Sequence, residues 1–551
     1  MFHQLLTPVG GSLPLSFLTA SLPIVVVLVM LGVLRRPAWQ ASLVGLLVGS
    51  AIAVLVWDFP PALAFDSIVA GAVFALWPVM WIVFNALLLY NIAVDSGRFD
   101  AFRDWVIEHL PDDRRIVLVV IGFCFGCLLE GISGFGTPVA ITSALLILVG
   151  FPPLEALTFT LIFNTAPVAF GALGAPVTVL GQVTGLPAAQ LGAMIGRQLP
   201  FLAMLLPFYV MAIYGGMRSV RALWPVLLVA GGSFAVAQFV SSNYLDYALT
   251  DVLSSLTALA ATLGFLRVWA PAPDAEFTMR AVPVAARAVG ADVVAGPVAG
   301  AGPARIPANV PSWQGWVPWI VVSVVVIAWT HFKIFAIGQQ AISWPGLHNE
   351  VLITLYKDKP YAAVWTFQPL ATGTAILLSA VITAGLVGVG PGRFVECIGQ
   401  TWKQSRIAIL TVALIVGLAY LMNYSGLNYT LGLGVASVGV FFPLLSPFLG
   451  WVAVFLSGSD TSGNALFGNL QVVAANQLGL NPVLIAATNS SGGVMGKMIS
   501  PQNIATGVSV TSLKGQEGVV FARTFKHSIV LTLVLGLLVL LQQYVVPWMI
   551  P

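Results

Sequence analysis

Ten consecutive residues, Leu129-Glu130-Gly131-Ile132-Ser133-Gly134-Phe135-Gly136-Thr137-Pro138, place a carboxylate, three glycines, two hydroxyls and a proline between two apolar runs, 116–128 and 139–149. An ionisable side chain at membrane depth costs roughly 2.5–3.5 kcal/mol on insertion scales and marks a functional position. The glycines and proline break a helix, and irregular backbone is tolerated at that depth only inside protein or beside a wet cavity. The stretch therefore reads as a broken or re-entrant helix next to a binding site. The rest of the chain agrees. Of 551 residues, 58% are hydrophobic and 8% charged, against about 25% charged in soluble domains. This is an all-α polytopic membrane protein with room for roughly 12–14 membrane segments at about 20 apolar residues each. A net charge of +3 does not suggest a nucleic-acid partner. Three cysteines imply no disulfide framework, and Cys124 and Cys127 are spaced as packing residues in an apolar helix.

Basic residues set the topology, because they mark the cytoplasmic side. Segments 14–34 and 40–57 are separated by Arg35-Arg36, which puts the N-terminus outside. The first segment lacks a basic start and reads as a retained span rather than a cleaved leader. Run 68–94 returns to Arg98, Arg103, Arg114 and Arg115 inside, with Asp66 and Asp95 at its interfaces. The chain divides into N-terminal spans (1–65), a first repeat with its hairpin motif (66–200) and intervening spans (201–268). A flexible cytoplasmic Ala/Pro-rich linker (269–311) follows, then spans with an outside loop (312–390), a second repeat with its hairpin motif (391–512) and a last span (513–551).

The repeat is read from offsets. Asn164, Gly171 and Pro176 recur as Asn489, Gly496 and Pro501 at 325 residues. Gly131 and Gly136 recur as Gly458 and Gly463 at 327, and Pro153 and Ser96-Gly97 recur as Pro482 and Ser425-Gly426 at 329. A basic loop follows Ser96-Gly97 but not Ser425-Gly426, so the copies have opposite orientation. Inverted repeats with interrupted helices point to a secondary transporter whose site lies where the copies meet.

That site suits a small anion. Broken helices aim N-terminal N–H groups inward. Ser133, Thr137, Asn164, Thr461, Ser462, Asn464 and Asn489 add hydroxyl and amide groups, Gly134 and Gly136 allow close backbone approach, and Lys497 adds one full positive charge. A dicarboxylate wants a second cation, so one lysine favours a hydroxy-monocarboxylate. Glu130 and Asp460 are candidate proton carriers. The apolar neighbours of Glu130 favour it as the proton site, with Asp460 ionised and organising Lys497; the reverse assignment stays open. Sodium is the alternative coupling ion, held by hydroxyls and carbonyls. No catalytic constellation, cofactor or metal site is expected: His3, His109, His331, His348 and His527 all fall in loops or at span ends. A transporter of another organic anion, a membrane enzyme using Asp460 and Lys497, and a channel are weaker readings.

The 129–138 stretch, Gly458-Ser459-Asp460-Thr461-Ser462-Gly463-Asn464-Ala465-Leu466-Phe467, and Gly492-Gly493-Val494-Met495-Gly496-Lys497-Met498-Ile499-Ser500-Pro501-Gln502 with Lys526-His527-Ser528 resemble the signatures of the bacterial lactate permease family. The resemblance covers nearly the whole chain; linker 269–311 is its least family-like part. It implies proton-coupled uptake of L-lactate, D-lactate or glycolate through the bacterial inner membrane, and kinship with elevator-type transporters that have re-entrant hairpins. Oligomeric state stays open, a homodimer being one arrangement.

Overall fold

A span needs about 20 apolar residues to cross roughly 30 Å of hydrocarbon. The computed structural model describes residues 1–32, 34, 36–108, 110–132, 137–272, 274–278, 310–509, 511–513 and 516–551. Among them, nine helices are long and apolar enough to cross, or eleven if two bent pairs each count as one span. One of the nine, Ala188–Tyr244, has 57 residues, far more than one crossing uses. It folds back at Gly216, whose φ of +65° is open to glycine and strained for other residues. Two shorter apolar helices, Pro138–Ile147 and Thr372–Leu386, fall below spanning length. The expected dozen or more segments thus resolve into full spans plus short hairpin arms and half-helices.

The repeat is visible element by element. Trp81–Asp95 ends before Gly97 (φ +72°), and Pro391–Ser425 ends at Gly426 (φ +98°). Each is followed by a short helix, then a hairpin: Arg114–Ile132 with Thr137–Leu148, and Phe442–Ser457 with Asp460–Leu478. Next come helices opened by proline at their first turn, Pro153–Phe163 and Pro482–Lys497, each followed by a break and a second half, Gly171–Thr184 and Pro501–Ser509. The inversion is equally direct. Asp95, at the end of one long helix, pairs with Arg393, at the start of the other (2.7 Å). The far end of Pro391–Ser425 instead meets the N-terminal strand, where Gln4 donates to the carbonyls of Asn423 and Tyr424. The two Ser-Gly ends therefore lie on opposite faces.

Burial places the hairpins at the centre. Leu13–Met30 is largely open at the periphery, whereas Arg114–Ile132 is buried throughout. The outer segment contains strand, which the all-helical reading did not foresee. Gln340–Ser343 pairs antiparallel with Val364–Phe367, and Val351–Ile353 lies between Phe2–His3 and Lys359–Pro360. The start of the linker is packed rather than free. Asp274 pairs with Arg115 (3.5 Å), Phe277 stacks under its guanidinium, and Arg115 also pairs with Asp113 (2.7 Å). The rest of the linker, 279–309, lies outside the described residues.

Candidate functional site

The second hairpin turns at Gly458, whose φ is +70°. A Cβ there would sit 2.7 Å from Gln502 Oε1 and 2.8 Å from Ser500 Oγ, so only glycine fits. Ser459 then caps Asp460–Leu478, its hydroxyl accepting from Ser462 N (3.4 Å). Asp460 occupies the first turn, where the partial positive charge of a helix N-terminus favours a carboxylate. Its Oδ2 accepts from Ser490 Oγ (2.5 Å) and Asn464 Nδ2 (3.2 Å). Asn489 Nδ2 supports Asn464 Oδ1 (3.0 Å), and Gln471 donates to Asn489 (3.3 Å). Gly493 makes room for Asp460: a Cβ there would lie 2.4 Å from Asp460 Oδ1.

Lys497 is the last residue of Pro482–Lys497. A helix C-terminus favours a cation. Its position is fixed from behind by the motif after residue 525: Ser528 Oγ donates to the Met495 carbonyl (2.5 Å) and accepts from Trp451 Nε1 (2.7 Å). The ammonium reaches across the repeat boundary and pairs with Glu130, not with Asp460. Glu130 stands near the end of Gly126–Ile132, the unfavourable pole for an anion. Lys497 supplies the compensation, and Asn164 Nδ2 donates to Glu130 Oε2 (3.0 Å). Both members of the pair are almost fully buried, at 2% and 5% exposure. Gly171 admits the carboxylate, since a Cβ there would lie 3.1 Å from Glu130 Oε1.

The first broken helix contributes its strained bend. Ala172 and Leu173 have φ of +44° and +54°, ahead of Gly174 at +78°. Left-handed backbone at non-glycine residues costs about 1–3 kcal/mol each and is found where the surroundings impose it. This bend, the Gly458–Thr461 turn, Glu130 and Lys497 enclose a cavity of about 30 Å³, room for a water or two. Two helix N-termini, at Asp460 and near Pro176, open onto it, and Asn464 Nδ2 also donates to the Pro176 carbonyl (3.2 Å).

Glu130, Asn164, Asp460, Thr461, Asn464, Asn489 and Lys497 therefore gather in two linked clusters. Ser462 lies in the same first turn but not on the cavity wall. Ser133, Gly134 and Gly136 lie outside the described residues, as does the side chain of Thr137. Sequence reasoning passed over three residues here. Ser490 and Gln471 complete the Asp460 network; Ser490 stands two residues before the quoted glycine-rich stretch. Asp251, 1% exposed, sits where a Cβ on Gly131 would come within 2.6 Å of its own Cβ. Its signal was an acid at the edge of an apolar run, five residues after Asp246, with no basic neighbour. Among the described residues, no group of three or more His, Cys, Asp or Glu is arranged to hold a metal ion.

Comparison with known proteins gives concordant matches. A family model described as L-lactate permease matches residues 16–546. The chain is 44% identical to the glycolate permease GlcA of Escherichia coli strain K12 and 41% identical to an L-lactate permease of Salmonella typhimurium, each over 98% of both chains. It is 40% identical to an L-lactate permease of Bacillus subtilis over 100% of this chain and 99% of that one.

Proposed function

The chain belongs to the L-lactate permease family, and we propose that it is a proton-coupled symporter that imports L-lactate, D-lactate and glycolate across the bacterial inner membrane. Its relatives carry the names of L-lactate and glycolate permeases. The observation that carries the coupling is the buried Glu130–Lys497 pair at the junction of two inverted repeats. A buried cation needs a counter-charge. Glu130 supplies one, and a substrate carboxylate supplies the same thing. The two compete for one ammonium. When the substrate carboxylate takes Lys497, Glu130 is left buried without its cation and accepts a proton. Glu130, Lys497 and the substrate then carry no net charge between them, and neither does the Glu130–Lys497 pair of the empty site. Binding only one of the two leaves a net charge that resists passage through an apolar barrier.

In the second cluster Asn464 and Asn489 hold Asp460 in place, and Asp460 Oδ1 and Thr461 on the cavity wall are offered to the 2-hydroxyl and the second carboxylate oxygen. The cavity of about 30 Å³ is too small for a hydroxy acid, so the hairpins part to admit one. We read the hairpins and broken helices as moving together in an elevator-type step, a reading that their mutual packing supports. The test is uptake of labelled L-lactate by purified protein in proteoliposomes under an inward proton gradient, with and without sodium. Accumulation on the proton gradient alone supports symport. Accumulation only with sodium assigns coupling to a sodium ion. No uptake under either gradient by folded protein overturns the substrate assignment.

A further inference from the structure

We infer that Asp251 is the residue through which the coupled proton reaches Glu130, an inference that rests on the symport reading above. Asp251 occupies the first turn of Thr250–Phe265, a helix outside both repeats. It is 1% exposed, and among the described residues neither carboxyl oxygen has a hydrogen-bond partner. It is not remote from the site. The Gly131 backbone, next in sequence to Glu130, rests directly against its Cβ. The ionisable groups whose charge reaches it are Glu130 and Lys497, with Cys127 on the same hairpin arm. The helix before it contributes Tyr247, which is turned away to bond Thr178 (3.2 Å).

Lys497 is the full positive charge facing Asp251, and it is committed to Glu130. A carboxylate at that depth with neither cation nor donor is costly, so Asp251 holds its proton in this conformation. Two carboxyl groups thus stand on packed neighbouring elements in opposite states: Glu130 paired with Lys497, Asp251 protonated and unpaired. When a substrate carboxylate takes Lys497, Glu130 loses its partner and Asp251 is the adjacent proton source. The O–H bond at Asp251 breaks and one forms at Glu130. The Asp251 carboxylate then regains a proton from water at the outer end of its helix. Such a relay sets the rate of proton delivery and leaves the number of protons per lactate to Glu130.

The experiment compares wild type, Asp251→Asn and Asp251→Glu in proteoliposomes. Two readouts are taken: L-lactate accumulation under an inward proton gradient, and lactate–lactate counterflow at equal pH, which needs no net proton delivery. We expect Asp251→Asn to slow accumulation at least about tenfold while counterflow stays within about twofold of wild type. Accumulation within twofold of wild type in Asp251→Asn overturns the inference. If Asp251→Asn loses counterflow too, Asp251→Glu decides: restored accumulation supports the relay, and none overturns it. Failure of wild type itself to accumulate lactate on a proton gradient is a separate result, which refutes symport rather than the role of Asp251.

Discussion

Removing one member of the Glu130–Lys497 pair tests the electrostatic argument most directly. Both groups are almost fully buried. At an effective dielectric of about 20, two unit charges 4 Å apart attract by roughly 4 kcal/mol. Breaking a buried pair by deleting one partner costs about 3–5 kcal/mol, because the other charge is left uncompensated, whereas replacing both is often close to neutral. Lys497→Gln leaves Glu130 with only its bond from Asn164, so its loss falls at the upper end. Glu130→Gln falls at the lower end, since Asp460 on the wall of the same cavity still faces the ammonium. The double variant recovers most of the loss, giving a coupling energy of about 2 kcal/mol or more. The assay is equilibrium unfolding of the purified protein in lipid–detergent micelles by SDS titration at pH 7.5. Single losses that simply add in the double variant would refute the reasoning.

Three further outcomes follow from the same geometry. Gly496→Ala puts a Cβ 2.2 Å from the Trp451 carbonyl oxygen and 2.9 Å from Phe455 N. Because backbone cannot yield as a side-chain tip can, it lowers stability by about 1–3 kcal/mol and reduces lactate uptake by displacing Lys497, both read on one preparation. Asp460→Asn weakens the bond from Ser490 (2.5 Å) and costs about 1–2 kcal/mol; measured proton movement per lactate stays at the wild-type value, because Glu130 remains. Asp246 lies between spans and caps Tyr247–Leu249, accepting from Ala248 N (2.8 Å) and Thr330 Oγ1 (2.6 Å). Burial pushes its carboxyl above the usual value of 3.8, against the lowering effect of those two bonds. The native state then holds this proton more tightly than the unfolded chain, so stability declines as pH rises from about 4 through the raised value. Asp246→Asn removes that contribution, and unfolding curves taken from pH 4 to 7 become flatter.

Charge against an apolar background was the legible signal. Glu130, Asp460 and Lys497 stand out because almost nothing else ionisable lies in the surrounding runs. Their glycine, serine and proline neighbours mark the turns at Gly458 and near Asn164. Which carboxylate Lys497 takes was not legible. Local sequence offered Asp460 as its organiser, but the pair that forms joins residues 367 positions apart. Such a contact depends on how the two repeats dock and leaves no local trace. Asp251 was obscured for a related reason: hydropathy places it at the edge of a span, where acids are ordinary, and only the start of that helix beneath the hairpin buries it. Full spans and short hairpin arms were not separable in the segment count, because hydropathy measures apolar length and not whether a helix crosses. The outer strands were missed because pairs such as Phe2 with Val351 also join distant parts of the chain.

The two repeats are alike in backbone and unlike in charge. Each repeat brings an asparagine from its broken helix to the carboxylate of its own hairpin. Asn164 reaches Glu130 directly (3.0 Å), while Asn489 reaches Asp460 through Asn464 (3.0 and 3.2 Å). The carboxylates themselves stand on opposite arms of their hairpins, Glu130 near the end of the first arm and Asp460 at the start of the second. Lys497 deepens the asymmetry: it belongs to the second repeat, yet neutralises the carboxylate of the first. A symmetric site with a lysine from each repeat would present two cations and favour a dicarboxylate. With a single cation, one substrate carboxylate is matched and a second would be left buried without a partner. On the proposed mechanism the same asymmetry makes substrate and Glu130 rivals for one ammonium, which gives selectivity for monocarboxylates and coupling to one proton a common origin. A lysine introduced at Ala172, the repeat mate of Lys497 on the wall of the same cavity, would add the missing charge. In a variant that folds, uptake of a dicarboxylate relative to lactate should rise, and an unchanged ratio would separate selectivity from the cation count.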